Sequence, residues 1–392
     1  MIVVALVVLV GGAGVFVGVR LARPLPVPQV QVTLPDTYTI PGTPPQLPWP
    51  GMGQATVEVE GIGSLGSSGA VRPVPIASVA KIMTAYVVLT DHPLGTDEDG
   101  PTMTVSAQEA AAYPAQVAAN LSLVKVSAGE VLTERQALQA LLLPSADNVA
   151  QILARWDAGS AAAFLARMNA AAAGIGMADT RYTDPSGLDK ATVSTAADQV
   201  KLAERAMKVP ALAQLVAMSQ ATIPVAGLVK NYNTLLGSDG IVGIKTGSTM
   251  AAGGCLVFAA RVAVGGRTFT ILGAVLGQAG PPNKILPMVL AASQKLVQAA
   301  AAAVGSYVAV RAGQLVATVR GPLGTGTALT AAGAVAVIGW PGMTFHVGTR
   351  IAMPSNVGAG VAVGALDVGG TSTSVVTTNA LRPPGLVDRV RH

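Results

Sequence analysis

Cysteine, histidine, aromatic rings and charge are all scarce in this 392-residue chain, and each scarcity removes a class of function. The single cysteine, Cys255, excludes an intramolecular disulfide and any multi-cysteine zinc site. In its apolar surroundings it reads as a buried strand residue, not a reactive thiol. The three histidines, His92, His346 and His392, lie far apart, and no G-x-S-x-G elbow accompanies them, which argues against a Ser-His-Asp hydrolase. Charged residues are 11% of the chain and aromatics 4%, and the net charge of +5 is spread out. Lysine and arginine do not cluster with aromatics, so the chain carries no nucleic-acid footprint. Apolar residues, mostly alanine and valine, are plentiful enough for two or three domains with a sizeable core. No repeat of fixed period is present.

The chain has three textures. Ile2 to Val19 is an uncharged run that would span about 27 Å as a helix, close to a bilayer core. No basic residue precedes it and no small-residue cleavage site follows, so residues 1–23 read as an uncleaved membrane anchor in preference to a signal segment. Arg20 and Arg23 after the run would, however, favour a cytoplasmic C-terminal side. Nine prolines between Pro24 and Pro50 then prevent helix and predict an extended spacer over residues 24–50, reaching about 80 Å. Residues 51–305 mix strand and helix signals. Thr56–Glu60 alternates as a strand. Thr133-Glu134-Arg135-Gln136 has capping-box spacing and starts a helix that Pro144 ends. Helices follow near Ala161–Ala173, with Gly174 as C-cap, and at Ala196–Met207. Gly265-Gly266 joins two apolar strands as a hairpin, and Lys284–Val304 is one long helix. Residues 306–370 break into short strands and predict a small all-β domain. Residues 371–392 read as a disordered tail.

Ser78-Val79-Ala80-Lys81 carries the clearest chemistry. A serine and a lysine three apart share one helix face, so the amine can be aimed at the hydroxyl. A serine hydroxyl is a weak nucleophile until a base takes its proton. Lys81 can be that base if burial or a second cation lowers its pKa. Ser145-Ala146-Asp147-Asn148 and Lys245-Thr246-Gly247-Ser248 follow in that order. Ser186 reads as a turn residue, Asn231 and Asn233 as loop caps, and Arg261 and Arg267 as solvated strand positions.

With their flanks these segments form a set. Pro75 to Ala85 around Ser78-Val79-Ala80-Lys81 resembles the first motif of the D-alanyl-D-alanine carboxypeptidases, serine peptidase family S11. Leu142 to Ala150 resembles their second motif, and Asp184-Pro185-Ser186-Gly187-Leu188-Asp189 resembles a loop they carry. Asn231 to Leu236 with Gly240 to Thr249 resembles their third motif. The likeness covers roughly residues 50 to 305. It implies an α+β fold of the β-lactamase and penicillin-binding transpeptidase-like class: an antiparallel sheet flanked by helices, with an inserted helical cluster. It implies that Ser78 attacks the bond between two D-alanines of a peptidoglycan stem peptide and is acylated. Lys81 would be the general base, and Ser145 would pass a proton to the leaving amine. Lys245 and Thr246 would bind the substrate carboxylate, and Gly247 would let the strand approach closely. The backbone N–H groups of Ser78 and Ser248 would form an oxyanion hole. No metal or organic cofactor is implied. β-Lactams would acylate Ser78 as covalent inhibitors, and the enzyme would work at the outer face of the cell membrane.

One position departs from the family. The second motif is usually Ser-x-Asn, but Asp147 stands in the Asn place with Asn148 beside it. An amide donates and accepts, whereas an ionised carboxylate only accepts. Asp147 would pair with Lys81 and hold it protonated, or a one-residue shift would bring Asn148 inward. Alternatively, the domain is an inactive penicillin-binding relative that recognises wall or partner. A β-lactamase is a weaker rival, because Glu204 is the sole glutamate between the second and third motifs. A transpeptidase is a further one, since acceptor choice depends on groove shape.

Overall fold

The computed structural model describes residues 2–24 and 26–391, with no side-chain description for residues 2–10 and 13. Met1, Leu25 and His392, which belong to the expected anchor, spacer and tail, lie outside the described residues. The chain forms two compact units. One is Pro45–Val304, and the other joins the chain's two ends, up to Pro44 and from Gly305 onward.

Pro45–Val304 is built on a five-stranded antiparallel sheet. Its strand order is Ile241–Thr249, Gly253–Val264, Arg267–Gln278, Gln54–Val59 and Gly63–Ser68. The two twelve-residue strands meet at Gly265-Gly266, both at positive φ (59° and 75°), as a tight hairpin requires. Eight consecutive residues from Gly253 are buried, so this central strand is covered on both faces, which explains its unbroken apolar run. The Ile285–Ala303 helix lies on the sheet, and Gly254 makes this possible, because a Cβ there would come within 2.6 Å of the Ile285 carbonyl. By length and composition this helix could cross a membrane. Here, however, Val289, Leu296 and Val297 are fully buried, so it is a core helix.

The Lys81–Asp91 helix runs through the middle of a helical cluster formed by Glu134–Leu142, Asp147–Ala158, Ala161–Ile175 and Ala196–Met207. It buries residues on every side, from Lys81 to Ala85 and from Val87 to Leu89, as an all-round apolar helix must. The Thr133 capping box is formed in both directions: the Thr133 hydroxyl accepts from Gln136 N, and the Gln136 side chain accepts from Thr133 N. The Ala161–Ile175 helix runs past Gly174 and stops at Gly176, which takes the left-handed conformation at φ 81°.

The other unit is a β structure, and it corrects two expectations. The segment read as a free spacer supplies both outer strands of a seven-stranded sheet. Gln29–Val32 pairs with Leu315–Arg320 at one edge, and Thr37–Thr39 pairs with Thr344–Ile351 at the other. Prolines flank these short strands without interrupting them, and edge strands tolerate that arrangement. The segment read as a disordered tail also contributes a strand. Thr371–Thr377 lies between Gly326–Ala331 and Ala362–Val368, with Val375 fully buried. Its first four residues, Thr371 to Ser374, are polar and none is buried, and only Val375 and Thr377 turn into the core, so the composition hid the strand. Ile2–Ala22 is a helix, and near the other end of the chain Leu386–Arg391 is a short one. The Arg389 guanidinium donates to the Leu21 and Arg23 carbonyls.

Candidate active site

Ser78 lies in a single 3-10 turn, Ala77–Ala80, that leads directly into the Lys81–Asp91 helix. The turn is held in an uncommon geometry: Ala77 has φ 47°. Gly187 packs against it so closely that a Cβ there would sit 1.8 Å from the Ala77 carbonyl oxygen. A non-glycine residue at positive φ persists only where its surroundings over-determine it, and such residues concentrate at functional sites.

Lys81 is fully buried, and its amine donates three hydrogen bonds. They go to Ser78 Oγ at 2.8 Å, Asp147 Oδ1 at 2.7 Å and the Ser186 carbonyl at 3.0 Å. Burial pushes the amine below its ordinary 10.5, while the charges of Asp147 and Asp184 pull it back up. The Asp184-Pro185-Ser186-Gly187-Leu188 loop is organised by its own aspartate, which accepts from Ser186 N, Ser186 Oγ, Leu188 N and Thr192 Oγ1. Ser186 Oγ is therefore a turn group, as the sequence suggests, and its carbonyl is what reaches the site. A polar side chain closing on its own backbone two residues later is a legible loop signal, but where the carbonyl points is not.

The Ile241–Thr249 edge strand supplies the opposite wall. Lys245 is buried at 1% exposure, and its one hydrogen bond goes to the Thr246 carbonyl at 3.0 Å. Among the described residues no carboxylate lies within ion-pair distance of it. Burial, and next the charge of Lys81, drive this amine well below its ordinary 10.5, with Asp147 opposing. Gly247 faces the Ser78 turn, and a Cβ there would come within 2.9 Å of Ser78 N. Ser78, Ser145, Thr246, Gly247 and Ser248 line one pocket of 190 Å³. An adjoining cleft of 420 Å³ is lined by Ser78, Ser122, Asp147, Leu188, Ser248 and Met250. Ser145 precedes the Asp147–Ala158 helix at φ 66°, and its buried hydroxyl has no partner. An unpaired buried hydroxyl in strained backbone is costly and marks a group held ready for a ligand or proton.

The two candidates at the second motif part company. Asp147 points inward: one carboxylate oxygen is on Lys81, and the other accepts from Ser122 N at 3.1 Å. Asn148 points away, pairing with Val124 by accepting from its N–H at 3.3 Å and donating to its carbonyl at 2.8 Å. The expectation that Asn148 lies in the substrate site is thus corrected. Successive residues in the first turn of a helix point in directions about 100° apart, so only one can face Lys81. Ser122 and Tyr232, which also line the site, are not singled out by the sequence: no motif surrounds Ser122, and Tyr232 lies within the Asn231–Leu236 segment without a role of its own. Asn231 and Asn233 cap their own loop: Asn231 Oδ1 accepts from Asn233 N, and Asn233 Oδ1 accepts from Leu235 N.

This geometry has counterparts. The sequence profile of serine peptidase family S11, D-alanyl-D-alanine carboxypeptidase, matches residues 65–275. The chain belongs to that family. A D-alanyl-D-alanine carboxypeptidase from Streptomyces sp. strain K15 is 36% identical over 225 residues, 53% of this chain and 74% of the relative. One from Mycobacterium tuberculosis is 37% identical over 204 residues, covering 50% and 65%. A D-alanyl-D-alanine endopeptidase of Pseudomonas aeruginosa is 36% identical over 191 residues, covering 47% and 58%. Among solved structures, the Streptomyces K15 DD-transpeptidase superimposes with a TM-score of 0.55 at 29% identity, covering 69% of this chain and all of that one. Penicillin binding protein 5 from Haemophilus influenzae superimposes with a TM-score of 0.60 and covers 87% of this chain, but at 19% identity it speaks for the fold alone. This S11 peptidase therefore has the penicillin-binding fold, with a sheet, flanking helices and an inserted helical cluster.

Proposed function

We propose that this serine D-alanyl-D-alanine carboxypeptidase removes the terminal D-alanine from peptidoglycan stem peptides through an acyl-enzyme on Ser78. The observation that carries the proposal is the 2.8 Å hydrogen bond between the Lys81 amine and Ser78 Oγ at the floor of an open cleft. Ser78 Oγ attacks the carbonyl between the two D-alanines, and its proton passes to the neutral form of Lys81. The Ser145 hydroxyl delivers a proton to the departing D-alanine amine. Lys245 and Thr246 receive the substrate's terminal carboxylate. The backbone N–H groups of Ser78 and Ser248 face the developing oxyanion, and Gly247 lets strand and turn come close enough for this. Water then releases the shortened peptide, and an amine in place of water would give transpeptidation. β-Lactams, whose strained amide and carboxylate mimic the dipeptide, acylate the same serine.

A fluorescent penicillin, followed by mass mapping of the modified peptide, tests this. Label on Ser78, absent in Ser78→Ala with the melting temperature unchanged, supports it. Label on another serine, or none at any pH, refutes it and favours a non-catalytic wall-recognition domain. Membrane attachment belongs to the same proposal: the Ile2–Ala22 helix holds the enzyme at the outer face of the cell membrane, where its substrate lies.

A further inference from the structure

Two buried amines and one carboxylate share the centre of this site, and they are not equivalently placed. Lys81 has Asp147 at 2.7 Å, whereas Lys245 has only a neutral carbonyl, that of Thr246. The charged groups facing Lys81 are Asp147 from the Asp147–Ala158 helix, Asp184 from the loop 184–188 and Lys245 from the edge strand. Two of those three are anions. Those facing Lys245 are Lys81 and Asp147. A proton shared between two like amines rests on the one with the better anion.

We propose that in the free enzyme Asp147 keeps the proton on Lys81 and leaves Lys245 neutral, and that the terminal carboxylate of the substrate reverses this, so that substrate binding itself releases the base. The reading rests on the function proposed above. When the carboxylate docks beside Lys245, that amine gains the anion it lacks. One N–H proton leaves Lys81 and one arrives on the lone pair of Lys245, exchanged through the open cleft; in the free enzyme the three N–H groups of Lys81 point to Ser78, Asp147 and Ser186, and the Ser145 hydroxyl touches neither amine. Lys81 goes from ammonium to amine, and Lys245 goes from amine to ammonium. Lys81 then accepts the Ser78 proton as Oγ attacks. With an amide at position 147 the carboxylate in contact with Lys81 would be gone, leaving only the weaker pull of Asp184 towards the ammonium form, and the trigger would lose most of its purpose. Asp147 is on this view a positioning residue that makes acylation conditional on a free carboxylate in the acyl donor.

The test uses the whole chain and two acyl donors. One is a thiolester of D-alanine type ending in a free carboxylate, and the other is the same compound with that carboxylate amidated. Acylation of Ser78 is followed by mass against pH. In the wild type the amidated donor should reach half-maximal rate at a pH roughly one to three units above its carboxylate twin, the usual effect of one opposite charge at close range. Asp147→Asn, nearly isosteric, should lower the midpoint of the amidated donor towards that of its twin and speed its acylation near pH 7 by about tenfold or more. A single midpoint for both donors in the wild type overturns the proposal, as does a gap that survives in Asp147→Asn. If Asp147→Asn fails to fold, the wild-type pair decides alone. Acylation of neither donor overturns instead the function on which the proposal rests.

Discussion

Lys245 and Glu134 are both buried ionisable groups that form no ion pair among the described residues, and they make opposite predictions. Lys245 awaits an anion. Lys245→Ala should therefore reduce turnover of free-carboxylate peptides by about 100-fold or more, the scale of removing a charge-assisted hydrogen bond in a dry site, while acylation by a carboxylate-free donor falls much less. Steady-state kinetics on the two substrate types check this, and equal decreases would mean that Lys245 does not bind the carboxylate. Glu134 is fully buried at the start of its helix, both carboxylate oxygens lack partners, and burial raises its pKa to about 7. A raised acid pKa means that the folded state holds a proton the unfolded state has released. Stability is therefore full below pH 4.5 as far as this group is concerned, and it declines as pH rises from there through 7. Glu134→Gln should flatten that decline and stabilise the protein at pH 8 by on the order of 2 kcal/mol, read from denaturant melts at pH 5 and pH 8. An unchanged slope would show that Glu134 is solvated or paired.

At the scale of elements, the site depends on where three backbone segments pass one another. The Ala77–Ala80 turn is pressed on one side by Gly187 and on the other by Gly247. Gly187 has φ 81° and sits against the Ala77 carbonyl, so Gly187→Ala must displace the turn that carries Ser78. We expect it to lower the penicillin acylation rate at least tenfold and to cost about 1–3 kcal/mol. Normal acylation in a normally stable variant would show that the loop yields and the close approach is dispensable. The Thr133 capping box lies at the other end of the helix that leads to Pro144 and Ser145. Thr133→Ala should cost about 1 kcal/mol in thermal melts and leave acylation unchanged, because cap energy is local. Much of this level is readable from the sequence. The capping box, the Gly265-Gly266 hairpin and the long helix after Lys284 follow from local hydrogen-bonding and conformational preferences that act over a few residues. Gly174 is not the C-cap it resembles, because the helix continues through Ile175 to a second glycine at 176.

At the scale of the whole molecule, both chain ends enter one β unit, and this divides the N-terminal segment into parts with different roles. Removing residues 1–23 should yield a soluble enzyme with unchanged peptide turnover, measured by sedimentation and by D-alanine release. Removing residues 1–44 should instead strip both outer strands from the seven-stranded sheet and expose the unpaired backbone groups of Leu315–Arg320 and Thr344–Ile351. Exposed edges pair with other chains, so this longer truncation should aggregate while penicillin labelling per soluble molecule stays normal. If residues 1–44 can be removed without aggregation, the outer strands are ornamental.

The amino-acid sequence alone determined which groups the proposed chemistry draws on: Ser78 and Lys81 three apart, Ser145 behind a proline, and Lys245-Thr246-Gly247 on a strand. Helical and strand periodicity dictate such spacings locally, so a short stretch of chain suffices to reveal them. The tertiary structure decided what those groups meet. Whether Asp147 or Asn148 faces Lys81 depends on the rotation of one helix against a segment 24 or 25 residues upstream, where Ser122 and Val124 hold the two side chains. Which edge of which sheet the Gln29–Val32 and Thr37–Thr39 strands complete depends on partners some 300 residues away. Such pairings arise from packing and hydrogen-bond satisfaction across the folded molecule, and no local pattern of residues encodes the partner.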